Sequence, residues 1–545
     1  METIRPLLFE VSAEVCFKMG GIHTVIRSKI PYTQRVWDGA YFLIGPYMPS
    51  WDYGGKMEFR DAGEMGVPAV STAISHLIEK GLPVRTGCWK VEGHPLVILF
   101  DPFVSPPDFE TYRGSYAARY NMEVPVEWHI DLYLRFGYYL ELFFKELCAV
   151  TAGQPPLILI HFHEYMTTAT IAAIRKLPVR ILFTTHSTVL GRMLAESDKA
   201  FYPGMEKIDW RKAAGSLSDY HRFIMHMERA AVKDCHVFTA VSQVTARECL
   251  FFLDRAPDVI TWNGLDTAEA CGGWGRDKTA VKAAIDQVVR RHFSEDPLVN
   301  RQKVLYFFTA GRYEYINKGY DVVIKALARL NRWLSASGYG ITVVTFFITN
   351  EPYSHGSSIR NKILHFKKRI WKGFAAGRSS IFLQATEKKV YECRLVRDLK
   401  KSRLGNRHSD RVKVVYLPQF LSKETGPFQI DYPDFIRGCD LGIFPSYYEP
   451  WGYTPVECIA AGIPAVTSNV SGFGSYISRQ AGISGASGVF VIDRLKKAEK
   501  ELFEVLKGMV TEQKDFTGSL QQITRMVDWD QMIAHYEAAY QKAME

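Results

Sequence analysis

Short apolar runs punctuate this chain at 7–11, 41–45, 96–101, 157–162, 180–184, 304–310, 341–348, 412–417, 440–444 and 490–493, with helical periodicity between many of them. Runs of that length alternating with helices are what parallel sheets covered on both faces require. The pattern predicts doubly wound α/β architecture. At 545 residues the chain exceeds what one hydrophobic core supports. The reading is a first Rossmann-like domain over 1–270, a second over 271–510, and a tail over 511–545 whose helix packs back on the first. The polar segment 266–303, with Gly272-Gly273 and Asp296-Pro297, is the expected hinge.

Composition excludes several classes of function. With 47% hydrophobic and 23% charged residues the chain has an ordinary globular balance. No apolar run reaches the ~18 residues needed to span a membrane, and residues 1–6 lead into a strand without a leader-like pattern. A cytoplasmic protein is expected, with no membrane partner. Nine cysteines without C-x-x-C spacing predict reduced thiols and neither a disulfide frame nor a zinc site. The formal charge is +9, yet residues 360–413 hold seventeen Lys or Arg against Glu387, Glu392, Asp398 and Asp410, so the rest is net acidic. Basicity confined to one insertion, 360–411, does not describe a nucleic-acid groove. Within it Ile363, Phe366, Ile370 and Phe374 recur at helical spacing, which predicts an amphipathic helix, either simply solvated or facing an acidic partner.

The densest chemistry lies in Phe444-Pro445-Ser446-Tyr447-Tyr448-Glu449-Pro450-Trp451-Gly452-Tyr453-Thr454-Pro455-Val456-Glu457. An apolar strand enters this loop and a helix leaves it near Thr454, read as the N-cap, with Pro455 at the first helical position and Glu457 completing a capping box. Free N–H groups at that helix start, at the carboxyl end of a strand, suit a phosphate. The earlier Lys18-Met19-Gly20-Gly21 turn likewise joins a strand to a helix, its glycines admitting close approach and Lys18 adding charge. Alternation places His161 and His163 on one strand face, as metal ligands or as hydrogen-bonding groups. His186 ends another strand and faces the ligand side, and Arg192 follows in a polar loop with a fork suited to phosphate. Arg312 and Lys318, after the strand at 304–310, form a cationic pair fit for a leaving diphosphate.

Taken whole, the 444–457 loop closely resembles the signature of the animal and fungal glycogen synthases, family 3 of the retaining glycosyltransferases. The likeness continues through Cys458, Gly462-Ile463-Pro464 and Ser471-Gly472-Phe473-Gly474. It recurs at Phe9-Glu10-Val11, Gly20-Gly21-Ile22, Thr24-Val25-Ile26, Thr184 to Arg192, Glu228-Arg229-Ala230-Ala231, 237–242, and Asn263-Gly264-Leu265-Asp266. Ala13, Phe17, His23 and Trp262 depart from it. The resemblance implies the GT-B fold, two Rossmann-like domains facing across a cleft. It further implies transfer of glucose from UDP-glucose to the non-reducing end of an α-1,4-glucan with retention.

On that resemblance Glu449, Arg312, Lys318 and His186 are expected to be catalytic, with Glu449 holding sugar hydroxyls near the anomeric carbon in preference to acting as a nucleophile. Lys18, Gly20, Gly21, Arg192, Asn263, Tyr448, Trp451, Gly452, Tyr453, Thr454 and Glu457 are expected to bind the donor. Within that set Tyr448 or Tyr453 stacks on the base and Glu457 meets the ribose. His161, His163 and Glu164 are expected to line the acceptor path. No cofactor or metal is implied; Asp528-Trp529-Asp530 reads as a helix boundary. The implied partners are glycogen or another α-1,4-glucan, a primer protein and further copies of the chain, though the insertion is shorter than the arm that joins relatives into tetramers. In the family it resembles, an arginine-rich helix binds glucose 6-phosphate where this chain has residues 510–524, which contain only Lys514 as a cation, so activation of that type is not expected. Two other readings are a related transferase with another nucleotide sugar or acceptor, and a non-catalytic glucan-binding protein.

Overall fold

The computed structural model describes residues 5–49, 57–62, 65–198, 200–267, 278–349, 393–419, 421–424, 427–480, 485–512 and 514–545. The predicted amphipathic helix near Ile363 to Phe374, and Gly272-Gly273 of the predicted hinge, lie outside them. The chain divides into two compact units. Unit 1 comprises Met1–Leu194, Pro203–Asp266 and Val527–Glu545; unit 2 comprises Ala195–Tyr202 and Thr267–Met526.

Unit 1 is built on a nine-stranded sheet. Its strands in chain order are β1 (Leu7–Val11), β2 (Tyr41–Pro46), β3 (Phe59–Asp61), β4 (Val84–Trp89), β5 (Leu96–Phe100), β6 (Ile158–His163), β7 (Val179–Thr185), β8 (Val237–Ala240) and β9 (Val259–Ile260). They lie in the order β3-β4-β5-β2-β1-β6-β7-β8-β9, parallel except that β4 runs against both its neighbours. The helix Trp128–Val150 buries Phe136, Leu140, Phe143, Phe144 and Leu147, positions at helical spacing, into the core beneath Phe9 and Phe42. Each such burial is worth about 1.5–3 kcal/mol.

Unit 2 carries β10 (Lys303–Gly311), β11 (Ile341–Thr349), β12 (Val412–Leu417), β13 (Leu441–Ile443), β14 (Ala465–Ser468) and β15 (Val489–Ile492). They are parallel throughout, in the order β12-β11-β10-β13-β14-β15. Numbered within the unit this is 3-2-1-4-5-6, the arrangement of dinucleotide-binding sheets, with the reversal between β10 and β13.

The tail differs from expectation. In place of the single helix expected within 511–545 there are two, Thr517–Met526 and Trp529–Met544, and Asp528 caps the second by accepting from the Asp530 N–H at 2.8 Å. The first buries Leu520 and Ile523 and packs on the Tyr453–Ala460 helix, so the chain returns to unit 1 only at Val527, later than the predicted 511. In unit 1 the Trp529–Met544 helix packs on the Gly21–Trp37 helix and on β6, β7, β8 and β9. The Trp529 indole donates to Ser28 Oγ at 2.8 Å. The eight described cysteines are free thiols, and no described helix is long and apolar enough to cross a membrane.

Candidate active site

In unit 2 the loops after β10 and β13 leave the strand ends where the winding order reverses, which is where open α/β sheets form their crevice. Backbone contacts hold the 444–452 loop from both sides. The N–H groups of Tyr447 and Tyr448 donate to Asn317 O at 2.7 and 3.3 Å. On the other side Gly472 N–H donates to Glu449 O at 2.9 Å and Phe473 N–H to Trp451 O at 2.7 Å. Two glycines permit this approach: a Cβ on Gly472 would lie 2.0 Å from Pro450 O, and one on Gly319, at φ +73°, would lie 2.2 Å from Pro445 O. The largely buried Arg494 adds a bond to Pro445 O at 3.0 Å and pairs with Asp321 at 3.1 Å.

This frame brings two of the predicted catalytic side chains together. Lys318 Nζ donates to Glu449 Oε2, with Ser446 Oγ 3.5 Å from the same oxygen. The two side chains are 17% and 18% exposed, sheltered yet reachable. The stem of Lys318 lies against Gly311, where a Cβ would come within 3.2 Å of its Cδ and Cε. Arg312, the next residue, is exposed.

Three details of the loop differ from expectation. Its helix is Tyr453–Ala460 with Gly452 at the N-cap in a left-handed conformation, φ +110°, so Thr454 lies inside the first turn and Pro455 is not at its head. A glycine takes the cap because the chain turns there through φ values that strain a side chain. Tyr448 is 2% exposed and Trp451 3%, so both rings are packing and neither offers a face to a base. Trp451 instead packs against Phe473 and Tyr476, and its indole nitrogen is buried without a hydrogen-bond partner among the described residues. Tyr453, Thr454 and Glu457 are half-buried.

In unit 1 the turn before the Gly21–Trp37 helix is not an empty anion site. Glu14, buried in the preceding loop, accepts from the Gly20 N–H at 2.6 Å and the His23 N–H at 3.0 Å. A carboxylate of the chain thus occupies part of the helix N-terminus expected to receive donor phosphate. Lys18 is exposed, and among the described residues nothing lies within 4 Å of a Cβ added to Gly21.

His161 and His163 are fully buried, with ring centroids 4.0 Å apart, and therefore do not line an acceptor path. β1 pairs with β6 so that Glu10 lies beside His161, and His163 Nε2 reaches Glu10 Oε1 at 2.7 Å. The trio Glu10, His161 and His163 is compact enough for a metal ion, but the cation Glu10 meets in this structure is Lys29, whose Nζ is 2.5 Å from Oε1. Burial alone works to raise the Glu10 carboxyl; the charge of Lys29 and the bond from His163 overcome it and hold it well below the usual range.

His186 stands just past β7, 9% exposed, with Nε2 2.9 Å from His163 Nδ1. Glu164 turns inward beneath it and accepts from the His186 and Ser187 N–H groups at 2.6 and 3.0 Å; it supports the His186 loop and does not line a path. Burial raises Glu164 to about 7 against those two bonds. Glu228 receives Thr185 Oγ1 at 2.8 Å and the Val189 N–H at 3.2 Å, and burial together with the charge of Glu164 raises it to about 8. Arg192 lies on the helix Val189–Ser197, not in a loop, with Nη2 3.3 Å from Ser187 Oγ. Asn263 is buried, and its Oδ1 accepts from Tyr536 OH of the C-terminal helix at 3.2 Å.

The sequence reading missed Glu10, Glu14, Lys29, Glu228 and Asn317 as participants. A signal existed for two of them: Glu10 interrupts the apolar run 7–11, and Lys29 shares the helical stripe of Ile22, Val25, Ile26 and Thr33. Charges at core positions demand partners.

Comparison with known proteins places these features in a family. A family model described as glycogen synthase matches residues 10–357 and 360–545. The liver glycogen [starch] synthase of Mus musculus is 36% identical over 538 residues, covering 90% of this chain and 75% of the mouse protein. The glycogen [starch] synthase of Caenorhabditis elegans is 31% identical over 602 residues, covering 99% and 88%. Among solved structures, the catalytic domain of starch synthase IV from Arabidopsis thaliana bound to ADP and acarbose superposes with a TM-score of 0.52 at 14% identity, covering 99% of each chain. The match shows the fold, that of the GT-B glycosyltransferases.

Proposed function

Because the chain belongs to the glycogen synthase family, we propose that it transfers glucose from UDP-glucose to the non-reducing end of an α-1,4-glucan with retention of configuration. The observation that carries this reading is the Lys318–Glu449 pair at the winding reversal of a 3-2-1-4-5-6 sheet. Breaking the bond between glucose and phosphate concentrates negative charge on the departing diphosphate and positive charge at the anomeric carbon. Lys318, Arg312 and the N–H groups at the start of the Tyr453–Ala460 helix neutralise the first. Glu449, fixed by the bond it accepts from Lys318, holds sugar hydroxyls beside the second. The pairing holds both side chains in place before substrate arrives, so less reorganisation is needed during reaction.

The role of Tyr453 is the base-stacking one, since Tyr448 is packed away, and Glu457 is assigned to the ribose. Lys18 and Arg192 are assigned to the diphosphate, and Gly21, but not Gly20, whose N–H is taken by Glu14, to its close approach. His186 is assigned to the sugar, and the glucan to unit 1. This reading places charge neutralisation on side chains and backbone, without a metal ion, and the site of action in the cytoplasm. It is tested by nucleotide release from labelled UDP-glucose and ADP-glucose with and without glycogen. Glycogen-dependent release of UDP supports it; preference for ADP-glucose, or release indifferent to glycogen, overturns it.

A further inference from the structure

We infer that Lys29, Glu10 and His163 act as positioning residues that order protons along a buried chain, holding His186 as the tautomer protonated on Nε2 so that Nδ1 is left as an acceptor. The inference deepens the reading of His186 as a sugar-binding group and rests on it for its catalytic meaning. Its geometry stands separately.

The order follows from counting donors and acceptors. Glu10 receives Lys29 Nζ at 2.5 Å on Oε1 and the Tyr41 hydroxyl on Oε2. An ionised carboxylate only accepts. His163 Nε2, 2.7 Å from Oε1, must therefore donate. The His163 ring is neutral, since burial lowers its affinity for a second proton more than Glu10 restores it. Its Nδ1 is then bare and accepts, at 2.9 Å, from His186 Nε2–H. Burial first, then His163 and the charge of Lys29, likewise hold His186 neutral. A neutral imidazole carrying its proton on Nε2 has a lone pair on Nδ1.

A second chain leaving the same ammonium agrees with this direction. Lys29 Nζ also lies 3.3 Å from Tyr540 OH, which accepts and turns its own proton toward His161 Nδ1 at 3.1 Å. His161 Nε2 then donates to Thr184 Oγ1 at 2.7 Å, and Thr184 to Thr239 Oγ1 at 2.5 Å. Thr239 Oγ1 ends the chain on Phe183 O at 3.5 Å. Lys29 has three protons for its two bonds, no proton in either chain is used twice, and no protonated ring nitrogen is asked to accept. The arrangement costs a buried ion pair and three buried imidazoles, more than the packing of this sheet requires. What it secures is one orientation and one protonation state for the single ring at the strand end that keeps contact with solvent. A bare Nδ1 there accepts from a hydroxyl and turns away an oxygen that has no proton to give.

The test is nitrogen NMR on the full chain with ¹⁵N-labelled histidine, the His186 signals being identified by their loss in His186→Asn. At pH 7 the inference requires the neutral Nε2–H pattern for His186 and for His163. An Nδ1–H pattern or an imidazolium at His186 overturns it, whatever the activity. His163→Phe fills the same space without the relay atoms. In the folded variant a mixture of His186 tautomers, with turnover lower by ~10-fold or more and the donor KM within about twofold, supports the inference. A single Nε2–H form with unchanged turnover overturns it. If the wild-type chain shows the ordered spectrum but releases no UDP with glycogen present, the proton order is supported and the proposed reaction is refuted.

Discussion

Arg312 and Lys318 are both cations at the end of β10, but the fold holds them differently. Lys318 is sheltered and paired with Glu449, whereas Arg312 is exposed. If both neutralise the leaving diphosphate, Arg312→Ala lowers kcat by roughly a hundredfold with the fold intact, since one charge-stabilising donor is worth about that much. Steady-state kinetics with circular dichroism checks it. Lys29 and Glu10 carry a different expectation. Removing one partner leaves a buried charge alone, so Lys29→Met destabilises unit 1 by ~3–5 kcal/mol in urea titration, and adding Glu10→Gln recovers much of the loss. Glu228 gives a pH signature. Burial raises its folded value to about 8, above the unfolded one, so its protonated form contributes stability below the unfolded value that is lost as pH rises through about 8. Relative to wild type, Glu228→Gln therefore gains ~1.4 kcal/mol for each pH unit between those values. A difference that stays flat from pH 5 to 8.5 refutes the assignment.

At the scale of elements, the site depends on two loops pressed together by backbone contacts. Gly472 begins the helix Gly472–Ile477 directly against Pro450 O. Gly472→Ala has no room for its methyl unless the Glu449 loop moves by an ångström or more. Turnover is expected to fall at least ~10-fold, because misplacement on that scale is costly to a preorganised site, and the melting temperature falls with it, because the atoms in the way are backbone. Unchanged kinetics in that variant would show that the loop is not held as described. The 41–45 and 304–310 runs are legible as strands because both faces are buried, which leaves a run without charges in the sequence. The start of the Tyr453–Ala460 helix was misplaced because Thr454, Pro455 and Glu457 satisfy every local capping rule. Gly452 wins because the chain arrives there already committed to a positive φ.

For the whole molecule, the notable feature is that Val527–Glu545 belongs to the first unit although it follows the second in sequence. Trp529 is fully buried and bonded to Ser28, and Tyr536 and Tyr540 surround Lys29. Removing residues 527–545 therefore opens the network around Glu10, and protection from hydrogen exchange is expected to fall throughout unit 1 while unit 2 keeps its own. Trp529→Ala alone costs about 3–5 kcal/mol, the usual loss for a buried aromatic. Equal loss of protection in both units would contradict the division.

The sequence by itself determined the class of fold, the two-unit plan and the family, because strand burial, loop chemistry and helix periodicity are all written locally. It also marked Arg312, Lys318, Glu449 and His186. Tertiary structure alone decided that Lys318 meets Glu449 across 131 positions, that Glu14 covers the first helix start, and that His161 and His163 turn into a core closed by Tyr540. The reason is physical: a strand fixes which face a side chain takes, but its partner is chosen by whichever distant segment the sheet order brings alongside, and no local pattern encodes that distance.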